Sequence, residues 1–282
     1  MVIVKLQGGL GNQMFQYAAA RNISTKQPVL LDLSFLLNNT ISKPGFTTRG
    51  FELDIFNKLK AKKLNPFIAA LLNANGLIAR LIKKIVLPKL ITITDDNSLN
   101  LDGSSVYLEG YFQNEIYFAG SRGSLLQEFT FPELTGNSLI WKQKISQSKT
   151  AVSIHVRRQD YMNPGVIEHH GVLPVDYYKR ACELIESKVD NAEYFIFSDD
   201  KQWCNTAFKF LEDKCQVVDD DGPHWADMAL MSQCKHHIIA NSSFSWWGAW
   251  LNQYHTKKVI APKQWFASAG DHDIIPKDWI SL

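Results

Sequence analysis

The chain has 282 residues, 45% hydrophobic and 21% charged, the composition of a globular protein large enough for two hydrophobic cores. A formal charge of +2 argues against a general nucleic-acid binder, and no apolar run approaches the ~20 residues that a membrane-spanning helix needs. Cys182, Cys204, Cys215 and Cys234 stand far apart without a CxxC pair, which argues against a zinc finger and points to reduced, buried thiols in a cytoplasmic protein.

Residues 2–6 read as a strand that begins without a signal peptide or anchor. Gln7-Gly8-Gly9-Leu10-Gly11-Asn12-Gln13 then turn into a helix carrying Met14, Tyr17 and Ala18 on one face. Gly9, Gly11, Asn12 and Gln13 make a candidate ligand loop, because glycine lets the backbone come close and a helix start offers free N–H groups. Met14 stands where the dinucleotide fingerprint needs a third glycine, so NAD is not predicted. A tight turn without a ligand fits the same residues.

Residues 28–33 read as a second strand and 38–50 as a surface loop. Between Phe56 and Thr94 there are eight basic residues and no acidic one, so the rest of the chain is net −6. Apolar runs at 67–72 and 77–87, interleaved with Arg80, Lys83 and Lys84, predict a basic helical insertion at 57–91. It fits either an amphipathic pair on an anionic membrane face or a solvated cap over the first domain. Residues 106–113 read as a strand ending in aromatics, and the polar stretch at 133–149 marks a domain boundary near 140.

Residues 151–156 predict a buried strand that ends abruptly in charge, with His155, Arg157, Arg158 and Asp160 around the switch. Ligands of open α/β sheets bind just outside the carboxyl ends of strands. Two guanidinium forks there suit a diphosphate; equally, they suit ion pairs with acidic neighbours. Helices at 175–188, 203–211, 225–234 and 245–251 alternate with strands at 194–198, 216–218, 237–240 and 259–261. That alternation predicts a parallel, doubly wound sheet. Asp199-Asp200 and Asp219-Asp220-Asp221 close two of the strands, where carboxylates could hold a metal, meet a ribose or base, or cap helices. Asn241-Ser242-Ser243-Phe244-Ser245 opens a helix as a possible phosphate cradle, and Trp246, Trp247 and Trp250 are expected in the core.

Three of these stretches together, the 8–13 loop, His155-Val156-Arg157-Arg158-x-Asp160 and Asn241-Ser242-Ser243-Phe244-Ser245-Trp246-Trp247, resemble bacterial α-1,2-fucosyltransferases of the glycosyltransferase family 11 type. Trp225-Ala226-Asp227-Met228 is similar too, and the likeness runs from the first strand to Trp265. It implies an α/β fold of two Rossmann-like domains facing across a cleft (GT-B type): 1–140 on the acceptor side and 141–282 binding GDP-fucose. It further implies inverting transfer of L-fucose from GDP-β-L-fucose to the 2-hydroxyl of a terminal galactose, in O-antigen synthesis, with no metal or other cofactor. The expected partners are GDP-fucose and a galactose-terminated glycan, free or lipid-linked, with peripheral membrane contact through 57–91.

Carried over residue by residue, Arg157 and Arg158 hold the diphosphate and His155 contacts the nucleotide. Asp199, Asp227, Ser242, Ser243 and Phe244 shape the GDP pocket. Arg158 stabilises the departing GDP, and Glu168, His169 and Asp160 are candidates for the base, Asp160 being better suited to orient an arginine. Gln159 stands where the family has glycine, a departure that bears on donor or acceptor geometry. The rival readings are an enzyme like the protein O-fucosyltransferases, a metal-dependent nucleotide-sugar transferase using an aspartate cluster, and a non-catalytic glycan-binding protein built on the tryptophans.

Overall fold

The structure is a computed structural model that describes residues 1–42, 47–87, 89–95, 105–267 and 273–282; part of the loop expected at 38–50 (43–46) lies outside them. The chain divides into two compact α/β units, the first covering Met1–Ser42 and Thr48–Pro132 and the second Glu133–Leu282. The division falls ahead of residue 140, which lies inside a helix of the second unit.

In the first unit, β1 (Val2–Lys5), α1 (Leu10–Ile23), β2 (Val29–Asp32) and α2 (Ser34–Asn38) are followed by β3 (Ala61–Lys63), α3 (Pro66–Asn73), α4 (Leu77–Val86), β4 (Leu90–Ile93), β5 (Ser105–Leu108) and α5 (Arg122–Glu128). The five strands pair in parallel in the order β3-β2-β1-β5-β4. The basic segment is therefore not an insertion: besides its two expected helices it supplies both edge strands. Neither strand was visible in the sequence, because β3 is Ala-Lys-Lys and β4 is half-exposed.

The second unit runs α6 (Gly136–Gln147), β6 (Ala151–Val156), α7 (Ile167–His170), α8 (Val175–Glu186), β7 (Glu193–Ser198), α9 (Lys201–Ala207), β8 (Cys215–Val217), α10 (Trp225–Met231), β9 (His236–Ile238), α11 (Ser243–Leu251), β10 (Val259–Ala261) and β11 (Ile280–Ser281). Its six strands are parallel in the order β11-β10-β9-β6-β7-β8. All six residues of β6 are buried, as a central parallel strand covered on both faces requires. Val152, Ile154 and Val156 pack with Tyr177, Tyr178 and Ile185 of α8, while Trp246, Trp247 and Trp250 of α11 are fully buried.

The chain winds outward from β6 in one direction through β7 and β8, then returns to build β9, β10 and β11 on the other side. Between β6 and β9 the strand order reverses. A buried polar relay locks that junction: Ser153 Oγ lies 2.8 Å from His237 Nδ1, and His237 Nε2 lies 2.6 Å from the Asn252 amide. Burial lowers the His237 pKa well below its ordinary value, so the ring stays neutral and can accept on one nitrogen while donating on the other.

Candidate active site

The carboxyl ends of β6 and β9 flank the strand-order reversal, where two diverging connections leave a crevice in a doubly wound sheet. Arg157 and Arg158 follow β6, and Asn241 to Phe244 follow β9 and open α11. The Tyr161 hydroxyl donates to the Asn241 carbonyl at 3.1 Å, and the Asn241 amide donates to the His170 carbonyl at 2.7 Å. The His155 and Phe244 rings lie 5.8 Å apart. Two stretches about eighty residues apart in sequence thus form one surface.

The arginines are held by carboxylates. Arg157 pairs with Asp160 and, at 3.3 Å, with Asp199. Burial alone would lower the Arg157 pKa, but these two anions more than compensate and raise it. Asp199 also accepts the Arg158 backbone N–H at 2.9 Å, fixing where the chain leaves the strand. The Arg158 guanidinium sits 4.0 Å from the Trp203 ring centre and its Nε lies 3.3 Å from Asp200. Stacking and one Nε contact hold the plane of the fork, and among the described residues its terminal nitrogens make only one weak contact, Nη2 to Met162 Sδ at 3.5 Å. The cluster is formally net negative, with two guanidinium groups and three carboxylates. The ion-pair reading of the arginines therefore describes their contacts, and an incoming phosphate would have to compete with Asp200.

Three buried polar atoms beside these groups have no hydrogen-bond partner among the described residues: His155 Nδ1, His170 Nδ1 and Asn241 Oδ1. Orphaned polar atoms cost free energy, and their grouping at one strand junction marks a place suited to a polar ligand. Burial, then the Arg157 charge, lowers the His155 pKa to about 3. Burial, then His169, lowers His170 to about 4. Both rings are neutral near pH 7 and are poor proton acceptors. His170 stacks on Tyr161 at 4.7 Å, and Phe266 packs against His169 and His170 at 4.9 and 5.6 Å.

Ser242 caps α11, its hydroxyl accepting from the Phe244 N–H at 3.3 Å. Ser243 and Phe244 are half-buried at this helix start. Asp227 lies on the first turn of α10; burial, then the neighbouring Asp220 charge, raises its pKa to about 7. His224, whose charge acts on Asp227, has its ring 6.5 Å from that of Phe244. Glu168 is exposed on α7 and makes none of the cluster's contacts. Gln159 has φ −54° and ψ −59°, a backbone that any residue adopts, so the replaced glycine leaves no strain.

The remaining acidic residues are engaged. Asp200 caps α9 through the Trp203 N–H, Asp219 meets Lys201 at 2.8 Å, and Asp220 accepts from Ser138 and from the Gly222 N–H. The tryptophans lie in the core, so no glycan platform is built from Trp246, Trp247 or Trp250.

In the first unit the glycine loop is committed to the fold. Gly8 takes φ +75°, where an added Cβ would come within 2.4 Å of the Asn12 amide. Gln13 is fully buried, donating to the Gly8 and Gly50 carbonyls and accepting the Glu52 N–H, while Asn12 accepts from Gln113. The Leu10 N–H at the start of α1 donates to the Glu52 carboxylate at 2.7 Å. An internal anion therefore occupies the helix start that the sequence offered to a phosphate.

Residues 91–282, about two thirds of the chain, match the family model described as glycosyl transferase family 11. The chain belongs to glycosyl transferase family 11. Among relatives of this family 11 glycosyltransferase, the O-antigen biosynthesis glycosyltransferase WbnK of Escherichia coli is 36% identical over 301 residues, covering 98% of this chain and 99% of WbnK. An alpha-1,2-colitosyltransferase, also of Escherichia coli, is 34% identical over 305 residues, covering 100% and 99%. In fold, the family 11 chain is similar to a substituted Arabidopsis thaliana FUT1 solved with GDP: TM-score 0.51 at 13% identity, covering 92% of this chain and 69% of that one. The fold class is thus α/β with two parallel sheets, of the GT-B type.

Sequence reasoning singled out His155, the arginines, Asp160, Asp199 and the serines, which the fold brings together. It gave no role to Trp203, Tyr161, Asn241, His170 or Phe266. Tyr161 adjoins the arginine motif and Asn241 opens the serine motif, so both could have been suspected; Trp203 reaches Arg158 only through the β7–α9 turn.

Proposed function

We propose that this chain is an inverting galactoside α-1,2-fucosyltransferase, moving L-fucose from GDP-β-L-fucose to the 2-hydroxyl of a terminal galactose in O-antigen synthesis. The observation that carries this reading is the junction of the His155–Asp160 and Asn241–Phe244 stretches, the motifs that resemble α-1,2-fucosyltransferases, at the strand-order reversal of the second sheet. The second unit would bind the donor. The first, in which Gly9, Gly11, Asn12 and Gln13 shape the loop after β1, would face the acceptor.

In this mechanism the galactose 2-hydroxyl attacks the anomeric carbon from the face opposite GDP, and a β-linked donor gives an α product. As the glycosidic bond breaks, negative charge grows on the diphosphate. The Arg158 terminal nitrogens and the N–H groups at the start of α11 are the fixed donors that meet it. Their charge-assisted hydrogen bonds take the role that a divalent cation plays elsewhere, so the reaction needs no metal. Arg157, gripped by Asp160 and Asp199, sets the position of its neighbour and supplies the static field. Asp227, Ser242, Ser243 and Phe244 complete the nucleotide pocket.

A general base contributes ~10²–10⁴-fold. His155 and His170 are too weakly basic and Asp160 is committed to Arg157; of the two α7 candidates, His169 packs against His170 and Phe266, and Glu168, exposed on the same short helix, is the proposed base.

A second reading has its own support: the alpha-1,2-colitosyltransferase is 34% identical over the whole chain, so the donor sugar could be colitose. Purified enzyme incubated with GDP-fucose or GDP-colitose and a panel of galactosides decides, the product linkage being read by NMR. Fucose on the galactose 2-position supports the proposal. Transfer from GDP-colitose alone transfers it to the second reading, and transfer to another position overturns both.

A further inference from the structure

Helix α4 is amphipathic with its polarity reversed relative to the protein. At about 100° per residue, Leu77, Ile78, Leu81, Ile82, Ile85 and Val86 form one arc covering roughly half the circumference. That arc faces solvent: Leu77, Ile78 and Ile85 are 77%, 74% and 79% exposed, and no residue of the helix is buried. The side turned to the protein is the one carrying Ala79 and Lys83, both half-buried. Lys83 clamps the helix in place by donating to the Leu72 and Ala74 carbonyls at 2.8 and 3.0 Å, closing the end of α3. A helix that packs by a lysine and shows its aliphatic face to water needs an apolar medium on that face.

We infer that α4 docks on an anionic lipid surface, its aliphatic arc entering the headgroup boundary with cations at its border. Arg80 and Lys84 are exposed along one edge of the arc, and Lys89 follows the helix. Lys83, Lys84 and Lys89 also line a cavity of about 390 Å³ with Leu87, Leu90 and Tyr107; Glu109, which lines it too, is paired with Lys5 at 2.7 Å, so the three lysines leave a place for an anionic headgroup beside the inserted face. The absence of any acidic residue between Phe56 and Thr94 makes the charge complementarity one-sided. A second copy paired through the same face would bring cations against cations. A protein partner is less suited as well, since the arc lacks the aromatic anchors that dominate such interfaces, whereas a purely aliphatic arc edged by lysine and arginine matches an interfacial helix. The proposed transfer chemistry plays no part in this inference.

The test uses the full chain and two exposed double variants, Ile78→Glu with Ile85→Glu and Arg80→Gln with Lys84→Gln. Each is sedimented with vesicles of equal parts phosphatidylglycerol and phosphatidylcholine, and with phosphatidylcholine alone. The parent should partition to the anionic vesicles about tenfold more strongly, and either double variant should lose about tenfold. Added salt should weaken the parent and leave the Arg80/Lys84 variant largely unaffected. Melting temperature and turnover on a soluble acceptor should be unchanged in both. Equal binding to neutral vesicles, or anionic binding that survives the glutamates, overturns the inference. A parent that sediments as a dimer without lipid, and becomes a monomer with the glutamates, assigns the face to a second copy instead.

Discussion

The Tyr161 hydroxyl and the Asn241 carbonyl are joined at 3.1 Å, although eighty residues separate them in the chain. This bond ties the loop that carries both arginines to the start of α11, so neither shifts without the other. Burial pushes the Tyr161 hydroxyl pKa up to about 12, which keeps it a donor throughout the working range. Tyr161→Phe should cost about 1 kcal/mol of stability, the usual net value of one hydrogen bond. It should also weaken GDP by roughly fivefold, because the arginine loop loses its register with the helix. Calorimetric GDP titration beside a thermal melt checks both, and a stability loss with unaltered GDP affinity would separate the junction from the ligand.

Asp200 competes with phosphate for Arg158. The pair is 3.3 Å apart and partly exposed, so it contributes on the order of 1 kcal/mol or less. Asp200→Asn keeps the side-chain oxygen that caps α9 but removes the competing charge. GDP should bind a few-fold more tightly. Weaker binding would mean that Asp200 aims the guanidinium rather than restraining it.

Stability should fall on acidification from pH 6.5 toward 4. His155, His170 and His237 have folded pKa values lowered by burial, to about 3 and about 4 for the first two. In that window the unfolded chain takes up protons that the folded chain refuses, so each ring costs stability. Asp227 acts oppositely: with a folded pKa raised to about 7, it holds a proton that the unfolded carboxyl has released, which favours the fold at low pH. Three rings outweigh one carboxyl, at about 1.4 kcal/mol per pH unit for each uncompensated proton. Asp227→Asn should raise stability at pH 8 and steepen the loss below pH 7. Urea melts at pH 5 and pH 8 measure both effects, and a variant no more stable than the parent at pH 8 would place Asp227 in water.

Transfer activity should persist in excess EDTA, since guanidinium groups and a helix start supply the positive potential at the diphosphate. Loss of turnover restored by Mn²⁺ or Mg²⁺ would make ligands of the aspartates that now cap helices and pair with cations.

Much of the second unit was legible because parallel strands buried on both faces read as short apolar runs between helices, and β6, β7 and β10 stand close to where that pattern puts them. Helix α6 was not legible: its sequence is polar and only Ser138 and Ile145 are buried. The edge strands β3 and β11 are too short and too exposed to show a period. At the site, the arginines and serines announce themselves by residue type. What the sequence could not show is which carboxylates hold them, because Asp199, Asp200 and Trp203 come to Arg158 through the pairing of β6 with β7. The glycine loop misled for a related reason: Glu52, which occupies the start of α1, lies forty-two residues from Leu10.

The role of Arg158 is tested most directly by replacing it with lysine, which keeps the charge but loses the planar fork and the stacking on Trp203. Turnover, GDP affinity and melting temperature are measured on one preparation. Turnover should fall by about 10²–10³, the usual loss for one preorganised donor to a developing charge, while GDP affinity changes far less and the melting temperature stays within error. Near-normal turnover, or a loss that merely follows unfolding, would contradict it and leave the arginine pair as ion pairs that hold the fold.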